Sequence, residues 1–192
     1  MKETARSLVE NHRGLRQFVG VKATKFSLLV LVLALAAGCQ KAETAATPPA
    51  GDSQLPTHAQ PKLPTLKIYL GAETLNAELA TTPREEMTGM MFRTNVTDQS
   101  AMLFVFPYPQ PANFWMKNCP HSLSAAYLSP DGVIQEIHHF EKEDTNTISS
   151  ASANIGYVLE VNDGWFQRHH VTTGMLVRTE IGSLQQTFFR NR

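Results

Sequence analysis

The sequence predicts a mainly β domain, a compact antiparallel β sandwich or barrel with one short helix near its N-terminal side. One observation is a series of short segments that alternate apolar and polar residues or are wholly apolar, each bounded by turn residues. The other is that a single segment carries a strong helix start. The predicted strands are residues 66–70, 75–79, 101–106, 123–128, 133–140, 156–161, 175–181 and 184–189.

The helix start is the segment Thr82-Pro83-Arg84-Glu85. Thr82 at the N-cap, Pro83 at the first helical position and Glu85 two positions later form a capping box with a favourable proline. The helix is therefore predicted to run to about residue 92.

The balance of basic and acidic residues differs between residues 1–39 and the rest of the chain. Residues 1–39 hold six Lys or Arg against two acidic residues, which leaves 11 basic and 15 acidic residues in the remainder. Because nucleic-acid binding needs a basic face, the mildly acidic remainder argues against that class of partner. Hydrophobic residues make up 42% of the chain, enough for a packed core.

Residues 1–38 have the features of a bacterial signal peptide. Lys22 and Lys25 precede a charge-free apolar segment at residues 26–37, which is shorter than the roughly 20 residues of a spanning helix. The small residues before Cys39 make this end resemble the bacterial lipoprotein box, which implies lipid attachment to Cys39 and cleavage before it. An ordinary signal peptide with a chance cysteine is the alternative. A start codon at position 21 would leave residues 1–20 untranslated.

The rest of the chain divides into a tether and one domain. Residues 40–64 lack periodicity and are rich in Ala, Thr and Pro, so residues 39–64 are predicted to be a lipidated cysteine and a disordered tether. Residues 65–192 are then a single β-rich domain. The predicted location is exported and anchored by lipid to an envelope membrane, with the domain in the periplasm or another extracytoplasmic space.

The densest group of large and functional side chains is the Phe-Trp-Met-Lys-Asn sequence at residues 114–118. In a strand, Trp115 and Lys117 would share one face, and the other three residues would share the opposite face. Trp115 and Lys117, with Arg93 if it folds nearby, would suit an anionic or sugar-like ligand through stacking and charged hydrogen bonds.

A structural role is the alternative for the same residues. In that case Trp115 caps the sheet, Lys117 pairs with Glu160, and Asn118 bonds the backbone of a turn. The candidate ligand-binding residues are Arg93, Trp115, Lys117, Asn118 and Glu160.

Glu160 lies in an apolar strand and is a candidate acid or base with a raised pKa. A hydrolase or transferase acting on envelope components would use Glu160 with Lys117 or Arg93. An outward-facing or Arg-paired carboxylate is the simpler alternative. No nucleophile elbow, phosphate loop or zinc-type His and Cys spacing occurs. The sequence therefore favours a non-catalytic envelope accessory domain that binds a small molecule or an envelope protein.

Sulfur-containing residues raise the question of a metal. Met87, Met90 and Met91 fall at helical spacing and could offer thioethers to Cu(I) in an exported protein. The same spacing describes an ordinary buried helix face, which we favour, so no metal or cofactor is predicted. After lipidation of Cys39, Cys119 has no intrachain disulfide partner.

Several motifs occur in a fixed order over residues 66–181. They are Met91-Phe92-Arg93, Met102-Leu103-Phe104-Val105-Phe106, Phe114-Trp115-Met116-Lys117-Asn118, Asp131-Gly132, and Tyr157-Val158-Leu159-Glu160 with Gly164 downstream. In this order they resemble the bacterial and archaeal family of domains of unknown function 192 (DUF192). The resemblance implies a compact β-rich domain, often exported and membrane-associated, and supplies no activity.

The chain departs from the family pattern at several positions. It has Ala101, Cys119 and Ser124 where the family usually has Gly, Thr and Asp. If the family's Asp were catalytic, Ser124 would leave this protein without that role.

Overall fold

A computed structural model describes residues 55–190 of the chain. Within these residues there are nine strands and three short helices, which confirms the predicted mainly β fold. The strands are β1 (Thr65–Leu70), β2 (Glu73–Ala80), β3 (Ala101–Gln110), β4 (Asn113–Phe114), β5 (Leu123–Leu128), β6 (Ile134–Phe140), β7 (Ile148–Ser149), β8 (Ile155–Asn162) and β9 (Val177–Thr179). The helices are α1 (Pro83–Thr88), α2 (Trp165–Arg168) and α3 (Leu184–Phe188).

Seven strands form one curled half-barrel sheet in the order β6-β5-β8-β3-β2-β1-β9, and β4 and β7 form a second, two-stranded sheet. The pairings are antiparallel with one exception, β2 and β3, which run parallel. A parallel pair cannot be joined by a tight hairpin and needs a longer crossover. Residues 81–100, with α1 at their start, supply this crossover and bring α1 onto one face of the sheet.

The large sheet is covered on both faces. One face carries a core cluster built from odd-numbered positions of the central strands, such as Leu103, Tyr157 and Leu159, together with Trp165 of α2. The other face carries a second cluster that contains Phe104, Met116 and other residues from around the crossover. Because both faces are buried, β8 is apolar almost throughout.

The first and last strands of the sheet approach each other at one end. The Ile134 amide donates to the Met175 carbonyl at 2.9 Å, and the Val177 amide donates to the Gly132 carbonyl at 2.9 Å. An isolated antiparallel bridge joins Val133 to Leu176. Gly132 has a φ of +85°, and a Cβ there would lie 2.9 Å from the Val177 carbonyl oxygen, so this contact requires glycine.

Three local predictions differ from the structure. The predicted capping box is present, but α1 ends at Thr88 because Gly89 has a φ of +47° and cannot continue a helix. Residues 184–189, predicted as a strand, contain α3, whose start is a capping box between Ser183 and Gln186. Of residues 114–118, only Phe114 lies in a strand.

The predicted signal peptide, Cys39 and residues 40–54 of the predicted tether lie outside the described residues. Residues 55–64 carry no helix or strand but contact the domain. The Gln60 side chain donates to the Gly89 carbonyl at 2.9 Å, and the Leu63 amide donates to Glu78 Oε2 at 2.8 Å. In residues 55–190, no helix is long and apolar enough to cross a membrane.

Candidate functional site

Residues 114–119 form an anchored loop in which backbone hydrogen bonds fix successive residues. The Met116 amide donates to the Asp144 carbonyl at 2.7 Å, and the Asn118 carbonyl accepts from the Phe92 amide at 2.7 Å. Asn118 has a φ of +60°, a left-handed conformation that asparagine tolerates. Side chains in this loop therefore do not alternate as they would in a strand.

The aromatic side chains of this loop pack inward. The Phe114 ring meets the Phe104 ring edge-on at 4.9 Å between centroids and lies 5.9 Å from the Tyr127 ring. Trp115 packs against the same cluster. The Lys117 ammonium lies 5.4 Å from the centre of the Trp115 ring, a cation–π contact. Lys117 thus lies against the indole.

A pocket of about 330 Å³ opens between α1 and this loop, and we call it the Glu160 pocket. Its walls come from α1 and the turn after it, from β3, from the loop before β4, and from β8. The lining residues are Glu86, Met87, Thr88, Gly89, Met90, Met91, Phe104, Phe106, Gln110, Pro111, Ala112, Asn113, Phe114, Trp115, Cys119 and Glu160.

Glu160 is the buried ionisable group of this pocket. It pairs in register with Met102 of β3 and with Ala125 of β5, so its side chain lies on the face of the sheet that α1 covers. The residue is 6% exposed, and its Oε2 atom is buried without a hydrogen-bond partner. Burial raises the pKa of the Glu160 carboxyl to about 8. At neutral pH this group is mainly a protonated acid that can donate a hydrogen bond.

Gly89 packs closely against the Phe104 ring, beside the Glu160 carboxyl. A Cβ at position 89 would lie 3.9 Å from Glu160 Oε2 and 3.3 Å from the Phe104 ring. The backbone angles of Gly89, φ +47° and ψ −130°, also lie in a region that residues with a Cβ avoid. Two independent constraints therefore select glycine beside the carboxyl.

Other titratable groups of the pocket are acidic or neutral. Burial, and to a smaller extent the neighbouring Glu160, raise the pKa of the Cys119 thiol to about 12, so Cys119 is not a thiolate. Burial and the adjacent Glu85 raise the pKa of Glu86, which lies in the first turn of α1. The lining contains no Lys, Arg or His.

The structure places Arg93 in a different part of the molecule. Its guanidinium donates to both carboxylate oxygens of Glu78, at 3.1 and 2.9 Å. Arg93 and Glu78 lie at the base of a second, larger depression of about 900 Å³, bounded by residues 59–65 and 92–102. This pair is a bidentate charge-assisted contact, the strong kind of ion pair.

The five predicted ligand-binding residues are thus divided. Trp115 and Glu160 line the same pocket, Arg93 lines the second depression, and Lys117 and Asn118 line neither. Of the ion pairs in residues 55–190, none joins Glu160 to Lys117 or Arg93. The combination expected for catalysis is therefore not assembled around one pocket.

The three methionines do not form one helical face, because α1 ends before two of them. Met87 is 38% exposed at the rim of the Glu160 pocket, whereas Met90 and Met91 are buried. All three line the pocket. In the described part of the chain, no group of three or more His, Cys, Asp or Glu side chains is placed to hold a metal ion.

A separate polar cluster lies at the surface near the end of β8. His139 Nδ1 is 2.7 Å from Asp163 Oδ1, and His139 Nε2 is 3.5 Å from Glu141 Oε2. Ser124 donates to the same Asp163 oxygen at 3.3 Å and accepts from the Gly164 amide. Because Asp163 separates the hydroxyl from the imidazole, this is not a nucleophile–base pair.

Sequence reasoning missed the walls of the pocket. Phe104 and Phe106 were predicted only as strand residues, and Gly89 was not singled out. The available signal was Gly89 directly after a capped helix, which marks a helix end, followed by two buried methionines. The parallel pairing of β2 and β3, which brings this turn over β8, is not predicted by any local sequence pattern.

The fold and these motifs have known counterparts. The DUF192 family model, described as an uncharacterized ACR, matches residues 66–179. A crystal structure of a candidate transcription regulator from Sinorhizobium meliloti 1021 has 28% identity and a TM-score of 0.59, covering 63% of this chain and 98% of its own. A protein of unknown function from Novosphingobium aromaticivorans DSM 12444 has 28% identity and a TM-score of 0.58, with coverages of 62% and 90%.

No functionally curated protein matches the chain. The family match extends over more than half of the sequence and contains both the loop at residues 114–118 and Glu160. This chain therefore belongs to the DUF192 family.

Proposed function

We propose that this protein is an exported lipoprotein whose β domain binds a small molecule in the Glu160 pocket. The observation that carries the proposal is that Glu160, whose Oε2 atom is buried without a hydrogen-bond partner, lines an open cavity. A buried polar atom without a partner costs about 1–3 kcal/mol, and a ligand that supplies the partner recovers this cost.

The dimensions of the pocket fit this role. A volume of about 330 Å³ lies at the lower end of the range for small-molecule sites, and the walls are mainly aromatic and aliphatic. Binding is favoured over catalysis because neither Lys117 nor Arg93 lines the pocket beside Glu160. Because carboxyl groups line the pocket, an anionic ligand is no longer expected.

The membrane anchor is the second part of the proposal. It rests on the basic residues, the short apolar segment and Cys39, since this order is that of a lipoprotein signal. Cells expressing the full-length chain should incorporate a labelled fatty acid into it, and Cys39→Ser should abolish incorporation. A processed chain that retains residues before Cys39, or carries no lipid, would contradict the anchor.

The transcription-regulator description belongs to the Sinorhizobium meliloti protein and is not carried over to this chain. Residues 40–192 have more acidic than basic side chains, and the Glu160 pocket is lined by carboxyl groups without any basic residue. A nucleic-acid surface would need the opposite charge.

The full-length protein in lipid nanodiscs can be screened for thermal shifts with amines, sugars, carboxylates, peptidoglycan fragments and Cu(I). A ligand of the folded state raises apparent stability by about 2.7 kcal/mol at a hundredfold excess over its Kd. We expect at least one class to give a shift that Met87→Trp reduces, because Met87 is exposed at the pocket rim.

Two controls locate the binding. Leu176→Trp alters a side chain of similar exposure, 41%, that does not line the pocket, and should leave the shift unchanged. Lys117→Ala removes the ammonium outside the indole. A shift that Lys117→Ala abolishes and Met87→Trp preserves would move the site from the pocket to the outer surface and overturn the proposal, as would the absence of any shift.

A further inference from the structure

The charge of the Glu160 pocket points to one class of ligand. Two carboxyl groups line it, Glu160 at its base and Glu86 on α1, and no basic side chain lines it. A ligand with a negative charge would meet like charge at Glu86 and find no cation inside. A ligand with a positive charge finds a buried carboxyl group that can become its counter-ion.

The walls provide a second, independent feature. Four aromatic side chains line the pocket: Phe104, Phe106, Phe114 and Trp115. The Phe104 and Phe114 rings are held in an edge-to-face pair by the sheet and the loop, so their positions are fixed before a ligand arrives. Aromatic faces attract ammonium groups, and several rings around one carboxyl are the arrangement that recognises organic cations.

We propose that the ligand of the Glu160 pocket is a small organic ammonium ion with short apolar substituents: either a protonated primary amine, which supplies charge and a hydrogen bond, or a quaternary ammonium ion, which supplies charge alone. This inference rests on the proposed binding function and specifies its ligand class. The ammonium group lies beside Glu160 Oε2, the substituents contact the four rings, and the exposed Met87 side chain adapts to them at the rim.

Binding of such an ion changes the protonation of Glu160. A free carboxylic acid at neutral pH gives its proton to solvent as the ammonium takes its place, and the carboxylate and ammonium then neutralise each other. The other titratable groups that line the pocket or act on Glu160 are Glu86, Cys119 and Tyr127. Burial keeps Cys119 and Tyr127 neutral by raising the pKa of each.

The experiment compares ligands of equal shape and different charge on the full-length protein in lipid nanodiscs. One set is benzylamine, benzyl alcohol and benzoate; the other is choline and 3,3-dimethylbutan-1-ol. We expect calorimetry to show that a cation binds at least about tenfold more tightly than its neutral partner, and that the anion does not bind. The cation should release close to one proton per molecule bound at pH 7, measured from buffers of different ionisation heat.

Glu160→Gln separates charge from shape. Gln is nearly isosteric and keeps a hydrogen-bond donor, so the neutral ligand should bind as before while the advantage of the cation and the proton release disappear. Glu180→Gln, at an exposed carboxylate that does not line the pocket, should change neither quantity.

The outcomes distinguish this inference from the function on which it rests. Neutral or anionic members that bind as tightly as the cation would overturn the ammonium assignment and leave small-molecule binding intact. Cu(I) binding without amine binding would also overturn the ammonium assignment, and it would make the pocket a site for a soft metal ion. Absence of binding by every probe, in a screen that also gives no thermal shift, would overturn both.

Discussion

Two carboxyl groups of the same sheet, Glu78 and Glu160, have opposite environments. Both pair in register with Met102, one from each side, so they lie on the same face with their Cα atoms about 10 Å apart. Glu78 accepts two hydrogen bonds from Arg93 and one from the Leu63 amide. Glu160 Oε2 is buried without a hydrogen-bond partner, in a residue that lines an open pocket.

The difference separates a structural acid from a candidate functional one. Glu78 is paired with Arg93 and also bonded to the Leu63 amide, so it ties the N-terminal segment and the crossover to the sheet. The environment of Glu160 disfavours its charge, and nothing in the structure compensates for the burial of its Oε2 atom. A buried ionisable group whose surroundings disfavour its charge is a candidate for ligand binding.

The largest predicted effect is a pH dependence of stability that belongs to Glu160. Its pKa is about 8 in the folded protein against an ordinary value of 4.5 for a glutamate, so between these pH values the folded state holds more protons than the unfolded state. The free energy of unfolding therefore falls as pH rises, by about 1.4 kcal/mol per pH unit and about 5 kcal/mol over the whole interval. Glu160→Gln should remove this slope, measured by urea unfolding from pH 5 to 8.

Glu180→Gln is the matched control, since Glu180 is exposed at the other end of the sheet. An equal slope in wild type and Glu160→Gln would show that Glu160 is charged in the folded state and would remove the contrast with Glu78.

The second-largest expected effect concerns Glu78, the carboxylate that is paired with Arg93. Arg93→Met leaves the mostly buried Glu78 carboxylate without its cation and should lower the free energy of unfolding by about 3 kcal/mol. Glu78→Gln in the same chain should recover much of this loss, because it removes the unpaired charge. Urea unfolding of the two single variants and the double variant gives the coupling; additive effects would show that the pair contributes little.

Gly89→Ala tests the segment that lies between the two acids. The Gly89 carbonyl accepts from Gln60, and an added Cβ would approach Phe104 and Glu160. We expect a loss of about 1–3 kcal/mol from the backbone conformation alone, with weaker ligand binding because the methyl group enters the pocket. Gly174→Ala is the control, since its φ is also positive, +85°, but open space surrounds it. Equal ligand affinity in wild type and Gly89→Ala would place the ligand away from Glu160.

The smallest effect is a second pH-dependent contribution, from His139. Its hydrogen bond with Asp163, supported by Glu141, raises its pKa above the ordinary histidine value of 6.5. The stabilisation is complete below about pH 6.5 and is lost as pH rises through the folded pKa. Since His139 is half exposed, solvent screening limits it to a few tenths of a kcal/mol.

His139 and Glu160 both make the free energy of unfolding fall as pH rises. The smaller contribution, from His139, is therefore measured in the Glu160→Gln background. His139→Gln added there should flatten the remaining dependence between pH 6 and 8. A double variant with the same profile as Glu160→Gln would show that the Asp163 contact does not favour the imidazolium.

The sequence predicted the strands well where side chains alternate or turn residues bound them, as at residues 66–70 and 123–128. It failed for residues 184–189, where a short apolar segment fits a strand as well as a helix; the Ser183 and Gln186 cap was the deciding signal. The loop at residues 114–118 was not predictable as a loop, because the bonds that shape it come from Phe92 and Asp144, distant in sequence.

The face of the sheet on which the Glu160 side chain lies was not predictable either. In a strand buried on both faces, the residues on either side of a carboxylate are apolar whichever face it occupies, so alternation gives no orientation. The separation of Arg93 from Trp115 depends on the parallel pairing of β2 and β3, which is a long-range choice. The residue types of the site were visible in the sequence, but their grouping was not.

The bridge between residues 132–134 and 174–177 bears on how copies of this domain behave at high concentration. An outer strand with unpaired backbone groups is a template for strand pairing between molecules, the first step of many aggregates. Here the beginning of β6 is already occupied by the segment that leads into β9, which is itself only three residues long. That end of the sheet therefore offers a neighbouring copy no open backbone edge for pairing, and Gly132 is the residue that permits the contact.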